Sequence, residues 1–138
     1  NPRMRIPVFG NGDVNSPEKA MEMRDKYGLD GAMVGRASIG NPWFFNQVKH
    51  FFKTKKHLPE PSINERIEMA KKHLTMAIKW KGEKLGVLET RRHYSNYFKG
   101  IQDFKKYRTI MVTSDYSENI YSLFSELKSK FSQPEAIY

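Results

Sequence analysis

Cysteine is absent from all 138 residues, which removes disulfides, thiolate metal ligands and thiol catalysis from anything this chain does by itself. The absence is compatible with a cytoplasmic protein. Also missing is any apolar run near the roughly 20 residues that span a bilayer, and the opening Asn1-Pro-Arg-Met-Arg5 has none of the apolar core of a signal peptide. No internal repeat and no low-complexity tract interrupts the chain. The four histidines, His50, His57, His73 and His93, fall at no metal-ligand spacing, and the carboxylates form no pair suited to acid–base work. No metal is therefore expected. Acidic side chains are scarce beside basic ones, 15 against 24, for a formal net charge of +9. The imbalance is uneven: residues 1–50 carry 7 basic and 5 acidic groups, whereas residues 51–138 carry 17 and 10. The second part is where a polyanion would be attracted.

What is present suffices for a core, since 38% of the residues are hydrophobic and 13% aromatic, enough for one domain or two small units. Ile6 to Phe9 reads as a short strand buried on both faces. Ser16-Pro17-Glu18 supplies an N-cap, a proline for the first turn and an acid behind it, so a helix is expected to about Tyr27, stopping at Gly28. Gly31 to Gly35 gives a second buried strand. Asn41-Pro42 repeats the cap-plus-proline start, and Phe44, Phe45, Val48, Phe51 and Phe52 mark a helical face through about Thr54. The order β-α-β-α is that of a parallel sheet or barrel, which two strands cannot complete. Because the chain reaches a buried-type strand within a few residues of Asn1, it is expected to be a piece of something longer.

Residues 56–61, with two prolines, read as a linker, and beyond them only helical patterns follow. Ser62 and Glu65 stand at capping-box spacing ahead of an apolar stripe of Ile63, Ile67, Ala70, Leu74, Ala77 and Ile78 that ends near Gly82. A second helix is expected from Glu83 to Lys99, a third from Asp103 to Val112, and a fourth behind an Asp115–Glu118 cap with Ile120, Leu123, Phe124, Leu127 and Phe131 inward. Four amphipathic helices with short connections imply a small antiparallel bundle. The expected fold is thus α/β then all-α: the last two βα units of a TIM-type barrel over 1–55, then a four-helix bundle over 62–138. Trp43 and Trp80 are assigned to helix-packing faces and the methionines to core filling.

Two glycine turns carry the first chemical signal. In Gly10-Asn11-Gly12-Asp13 the glycines offer backbone angles closed to other residues and let an anion approach the N–H groups, while Asn11 adds an amide. Asp13 suits orienting the loop or accepting from a hydroxyl, since it would repel a phosphate. In the second turn Gly35 precedes Arg36, whose planar fork matches a phosphate. Consecutive βα turns of a parallel barrel lie side by side, so the two turns together are expected to cradle a phosphate. The second signal is Glu89-Thr-Arg91-Arg92-His93-Tyr94-Ser-Asn96-Tyr97-Phe98-Lys99-Gly100, where cations alternate with aromatics. On a helix Arg92, Asn96 and Lys99 share one face and Val87, Tyr94, Phe98 and Ile101 the opposite one. With Lys71, Lys72, Lys79, Lys81, Lys84, Lys105, Lys106 and Arg108 nearby in sequence, the first face is a candidate for nucleic-acid phosphates.

These blocks resemble the tRNA-dihydrouridine synthases, through Pro7-Val-Phe-Gly-Asn-Gly-Asp13, Met33-Val-Gly-Arg-Ala37 with Gly40-Asn-Pro-Trp-Phe44, and Glu89-Thr-Arg-Arg-His-Tyr94 with Lys99-Gly100. The resemblance covers nearly the whole chain. It implies an FMN-binding barrel followed by a helical tRNA-binding domain, with uridine in tRNA reduced to dihydrouridine by hydride from FMN and NADPH restoring the flavin. By that resemblance Asn11, Gly12, Asp13, Gly35 and Arg36 belong to the FMN site, around its phosphate, and Arg91, Arg92, His93, Asn96 and Lys99 face tRNA. The family's catalytic cysteine, its earlier flavin-contacting lysine and histidine, and about six of the eight barrel strands have no counterpart here. The chain alone is therefore expected to be inactive, with self-association or strand exchange through the incomplete barrel segment. Two other readings stand beside this one: a non-catalytic RNA-binding helical module, and the end of another FMN barrel acting on a small molecule.

Overall fold

The computed structural model describes residues 6–132. The lead Asn1 to Arg5 and residues 133–138, the end of the expected helical domain, lie outside the described residues. The chain divides into two compact units, Asn1–Glu60 and Pro61–Tyr138.

In the first unit β1 (Phe9–Gly10) pairs in parallel with β2 (Gly31–Ala32), Phe9 opposite Gly31 and Gly10 opposite Ala32. Between them runs α1 (Pro17–Asp25), capped by the Ser16 hydroxyl, which accepts from the Lys19 amide at 3.1 Å. Its far end closes at a glycine: Gly28 takes φ of 61° and the Leu29 amide reaches back to the Met23 carbonyl at 3.4 Å. A 3₁₀ turn, Arg36–Ser38, follows β2, and then α2 (Phe44–Thr54). Val14, Ala20, Met23 and Phe44 are buried together, with Leu29, Val34, Val48 and Phe52 against them.

Three expectations fail here. The second strand covers Gly31–Ala32 rather than Gly31 to Gly35, both residues are only half-buried, and Met33 beyond them is 60% exposed. Ile6 to Phe9 is not buried on both faces: the strand is two residues long, and Ile6 and Phe9 are each 70% exposed. A two-stranded ladder buries only the face its own helices cover, and Phe9 lays its ring across Gly31, where an added Cβ would come within 2.4 Å of it. Asn41 is not the cap of α2 either. The helix begins two residues later than that cap-plus-proline reading requires, with Trp43 at the cap position and no side-chain cap bond, because Asn41 closes a turn by donating to Ser38 O at 3.1 Å.

In the second unit α3 (Ile63–Tyr97) opens on the expected capping box, Ser62 and Glu65 exchanging bonds of 3.1 and 3.0 Å. It is two helices in one: at Gly82 the backbone leaves the helical region, with φ of 85° and ψ of 169°. The arms, 63–81 and 83–97, fold back on each other so that His73 meets His93 and Ile78 meets Gly86. Gly86 is buried, and a Cβ on it would lie 2.7 Å from the Ile78 Cα. α4 (Lys105–Thr113) and α5 (Ser117–Ser132) pack on α3. Phe98 is fully buried, stacked on Phe104 at 5.0 Å and beside Phe124 at 6.3 Å, and Leu74, Val87, Met111 and Leu127 fill the space around them. The cap of α5 differs from the sequence reading: Glu83 accepts from the Ser117 amide at 2.7 Å and its hydroxyl at 2.9 Å. Asp115 is instead bonded to Arg91, at 3.1 Å. Trp80, assigned to a packing face, is 78% exposed, because the chain turns outward beside Gly82. Met76 and Met33 are likewise exposed at 50% and 60%, whereas Met23 and Met111 do fill core.

Gly86→Ala tests the close approach of the arms. In an open helix alanine would stabilise by about 1 kcal/mol. Here the methyl has to displace Ile78 backbone, and overpacking of about 1–3 kcal/mol outweighs the gain. The expected result is a net loss of up to about 2 kcal/mol in urea unfolding followed by far-UV circular dichroism, with unchanged m.

Candidate functional site

Parallel pairing sets the two glycine turns of the first unit next to one another. Asp30 fixes the register, its amide donating to Val8 O at 2.9 Å and its carboxylate accepting from the Val8 amide at 2.8 Å, and the Met33 amide donates to Gly10 O at 2.7 Å. The two strands therefore end together, and Asn11, Asp13, Val14, Asn15, Gly35, Arg36 and Ala37 enclose a cavity of about 280 Å³. Gly12 lies in the loop but does not line the cavity. The role assigned to the glycines needs correcting. Neither Gly10 nor Gly12 has positive φ; the left-handed residue is Asp13, at 47°. Gly10 instead leaves room for Leu29, whose Cδ1 would lie 2.2 Å from an added Cβ and would have to move aside. Gly35, by contrast, faces open space.

Asp13 and Arg36 form an ion pair across the cavity mouth, both largely exposed. Exposed pairs hold weakly, so the guanidinium is easily given up to a competing anion. The pair holds the Arg36 side chain beside the cavity. Ser38 Oγ donates to Gly35 O at 2.7 Å and stiffens the second loop.

In the second unit the later arm of α3 presents two faces, as its periodicity requires. Arg92, Asn96 and Lys99 are exposed, and Val87, Tyr94 and Phe98 are buried. Arg91 is placed differently from its neighbour: its guanidinium donates to Ser114 O at 2.9 Å and to Asp115 at 3.1 Å, and its side chain is only 25% exposed. That bond ties α3 to the connection before α5. Lys71, Lys72, Lys79, Lys81, Lys84, Lys105 and Lys106 are all exposed, while Arg108 is half-buried.

The fold-back also builds a cleft that the sequence did not reveal. It measures about 390 Å³ and is lined by His73, Ala77, Lys81, Leu88, Glu89, Thr90, Arg92 and His93. The two imidazoles lie 4.4 Å apart at 53°, Tyr97 OH is 2.9 Å from His73 Nδ1, and Lys81 pairs with Glu89. Burial, with His73 and Arg92 adding to it, pushes His93 down to about 4, and burial with the Arg92 and Lys81 charges lowers His73. Both rings are thus neutral near pH 7. The missed signal was the spacing: His73 and His93 are equidistant from Glu83, beside the Gly82 break, and an antiparallel fold-back about that point brings them face to face.

Among the described residues no cluster of His, Asp or Glu is arranged to hold a metal, and no helix is long and apolar enough to cross a membrane.

A two-unit chain with a parallel βαβα lead and a basic, aromatic-cored helical unit matches one family throughout. The family model described as Dihydrouridine synthase (Dus) covers residues 1–132. Among curated proteins, the chain is 35% identical over 125 residues to tRNA-dihydrouridine synthase B of Pseudomonas putida, spanning 88% of this chain and 37% of that protein. It is 36% identical over 103 residues to the Pseudomonas aeruginosa protein of the same name, covering 75% and 31%. A probable tRNA-dihydrouridine synthase 1 of Synechocystis is 36% identical over 96 residues, covering 70% and 27%. The chain belongs to the dihydrouridine synthase family. It spans about a third of the length of the curated relatives it matches.

The imidazoles make a pH prediction. Because His93 titrates lower in the folded chain than its ordinary value near 6.5, the unfolded chain binds more protons between about 4 and 6.5. Stability is full above that window and falls as pH drops through it. In phosphate-free buffer the thermal midpoint should fall between pH 7 and pH 4.5, and His93→Gln should narrow the drop.

Proposed function

We propose that this chain is the C-terminal portion of an FMN-dependent tRNA-dihydrouridine synthase, an oxidoreductase that reduces uridine in tRNA to 5,6-dihydrouridine. The single observation that carries this reading is the convergence of two consecutive βα loop ends on one cavity, lined by Asn11 and Asp13 from the first and Gly35 and Arg36 from the second, in a chain of this family. On this reading residues 1–55 are the last two βα units of a barrel, residues 56–61 a linker, and residues 62–138 a helical tRNA-binding bundle.

The donor set suits the phosphate end of FMN. Asn11 offers an amide and Arg36 a guanidinium held only by an exposed carboxylate, and Gly35 leaves its backbone open to approach. A cavity of about 280 Å³ takes a phosphate and its first carbons, not a flavin ring. FMN, when bound, supplies the hydride for the pyrimidine double bond, and NADPH serves as its reductant. This chain's share is to anchor the cofactor: Arg36 and Asn11 bind the phosphate, Asp13 orients Arg36 and accepts from a sugar-chain hydroxyl, and Gly12 keeps the loop free of a side chain. With no cysteine in its sequence, the chain has no thiol to protonate the other carbon, and by itself it does not turn over.

The helical unit carries the substrate. Arg92, Asn96 and Lys99 face the tRNA backbone with His93 beside them, and Arg91 acts through the Ser114–Asp115 segment that it braces. Trp80, exposed among Lys79, Lys81 and Lys84, offers a stacking surface to an unpaired base. A soluble, cytoplasmic setting follows from a tRNA substrate. Gripping the tRNA outside the barrel has a physical purpose, because a uridine must leave its stack to reach a buried flavin.

In the full-length parent, Arg36→Ala should lower FMN affinity by about tenfold or more, the loss of a charge-assisted bond, read as flavin absorbance retained through gel filtration. Unchanged flavin content would remove Arg36 from the site. Replacing Arg92 and Lys99 together by Ala should flatten the dependence of log affinity for tRNA on log salt by roughly 1 to 2 units, whereas Arg91→Ala should lower thermal stability first. A salt slope untouched by the double change would place the RNA face elsewhere.

A further inference from the structure

We infer that the cleft between the two arms of α3 is a phosphodiester-binding site that takes up a proton as it fills, with His73 and His93 accepting the proton and Arg92 supplying the standing charge. The inference rests on the reading that this unit binds tRNA and adds to it a particular site and a pH dependence.

The groups facing the cleft are His73 and Lys81 from the first arm and Glu89, Arg92, His93 and Tyr97 from the second. Glu89 neutralises Lys81, so with both rings neutral the cleft carries about one positive charge, that of Arg92. The His73 ring has a partner that tolerates either protonation state. The Tyr97 hydroxyl donates to a bare His73 Nδ1 and accepts from a protonated one, at the same 2.9 Å. Burial pushes the Tyr97 phenol up to about 12, so it keeps its proton throughout. Arg92 Nε donates to His93 Nε2 at 3.4 Å, a long bond that exists only while that nitrogen is bare. Protonating His93 breaks it and frees the guanidinium to turn toward an anion.

Two imidazoles at 4.4 Å beside Arg92 and Lys81 are held neutral by burial and by like charge. An entering phosphate reverses the second cause. Its charge cancels that of Arg92, competes with Glu89 for Lys81, and favours imidazolium at the cleft wall. A cleft of about 390 Å³ admits a phosphate with its flanking sugars. Binding and protonation are then linked, so affinity rises as pH falls.

The test uses the 138-residue chain in phosphate-free buffer, titrated with tRNA by calorimetry in two buffers of different ionisation heat. If the bound imidazole regains its ordinary range, about 0.9 proton should be taken up at pH 5.5 and almost none at pH 8, with affinity about tenfold higher at pH 5.5 than at pH 7.5. His93→Gln should abolish most of that uptake. If tRNA binds with no uptake, or with uptake unchanged in His93→Gln, the inference is overturned while the tRNA-binding reading stands. Should the variant fail to fold, the ring resonances of His73 and His93 in the unsubstituted chain decide: their titration midpoints must rise on adding tRNA, and midpoints that stay put overturn the site. Absence of any tRNA binding would overturn the broader reading instead. Inorganic phosphate then settles the cleft: midpoints raised by it support an anion site fed by free phosphate, and midpoints unmoved by it overturn the site as well.

Discussion

The approach of Gly86 to the backbone of Ile78 is the constraint on which the helical unit depends. A side chain at that point would collide with the backbone of the facing arm, so the absence of one lets the two arms meet there. Everything of functional interest in the unit follows from that fold-back. It brings two histidines that are 20 residues apart to ring contact, turns Trp80 out beside Gly82, and leaves Arg92, Asn96 and Lys99 exposed while Tyr94 and Phe98 are buried. Glu83, just past the break, then caps α5 and fastens the second arm to the rest of the core.

The first unit solves a different problem with the same economy. Parallel pairing of two very short strands is enough to set two loop ends side by side, and the Asp30–Val8 bonds hold their register. The exposed Asp13–Arg36 pair serves, on the proposed reading, as a placeholder, weak enough to open for an anion yet sufficient to keep the guanidinium beside the cavity. On the proposed reading, one anion site fastens a cofactor and another face of the chain fastens a nucleic acid, and both rely on arginines whose positions are prepared by a neighbouring group.

Much of this was legible in the sequence where local chemistry decides the outcome. Ser16-Pro17 and the Ser62–Glu65 box mark their helix starts, Gly28 and Gly82 mark breaks, and the 3.6-residue period separates Arg92 from Tyr94. What could not be read depends on non-local partners. Nothing near Asp115 in sequence says that it serves Arg91 while Glu83 caps α5, and nothing near Gly10 shows that Leu29 will press on it. Asn41 had the right residue type for a cap, but a preceding turn claimed its backbone first. The apolar run at Ile6–Phe9 signals a strand but not its covering layer, and Ile6 and Phe9 remain exposed. Trp80 is exposed because the helical period, read through a helix end, places side chains where no helix neighbour remains. The histidine cleft went unseen for a related reason: pairing across a hairpin is a property of its pivot, not of either arm.

The central claim is that the exposed side of the α3 hairpin is where this chain meets tRNA. Ultraviolet cross-linking of the chain to tRNA, followed by peptide mass spectrometry, tests it most directly. Cross-linked peptides should concentrate between Trp80 and Lys99 and disappear with excess unlabelled tRNA. Cross-links confined to residues 6–60, or spread evenly over every exposed lysine, would contradict it.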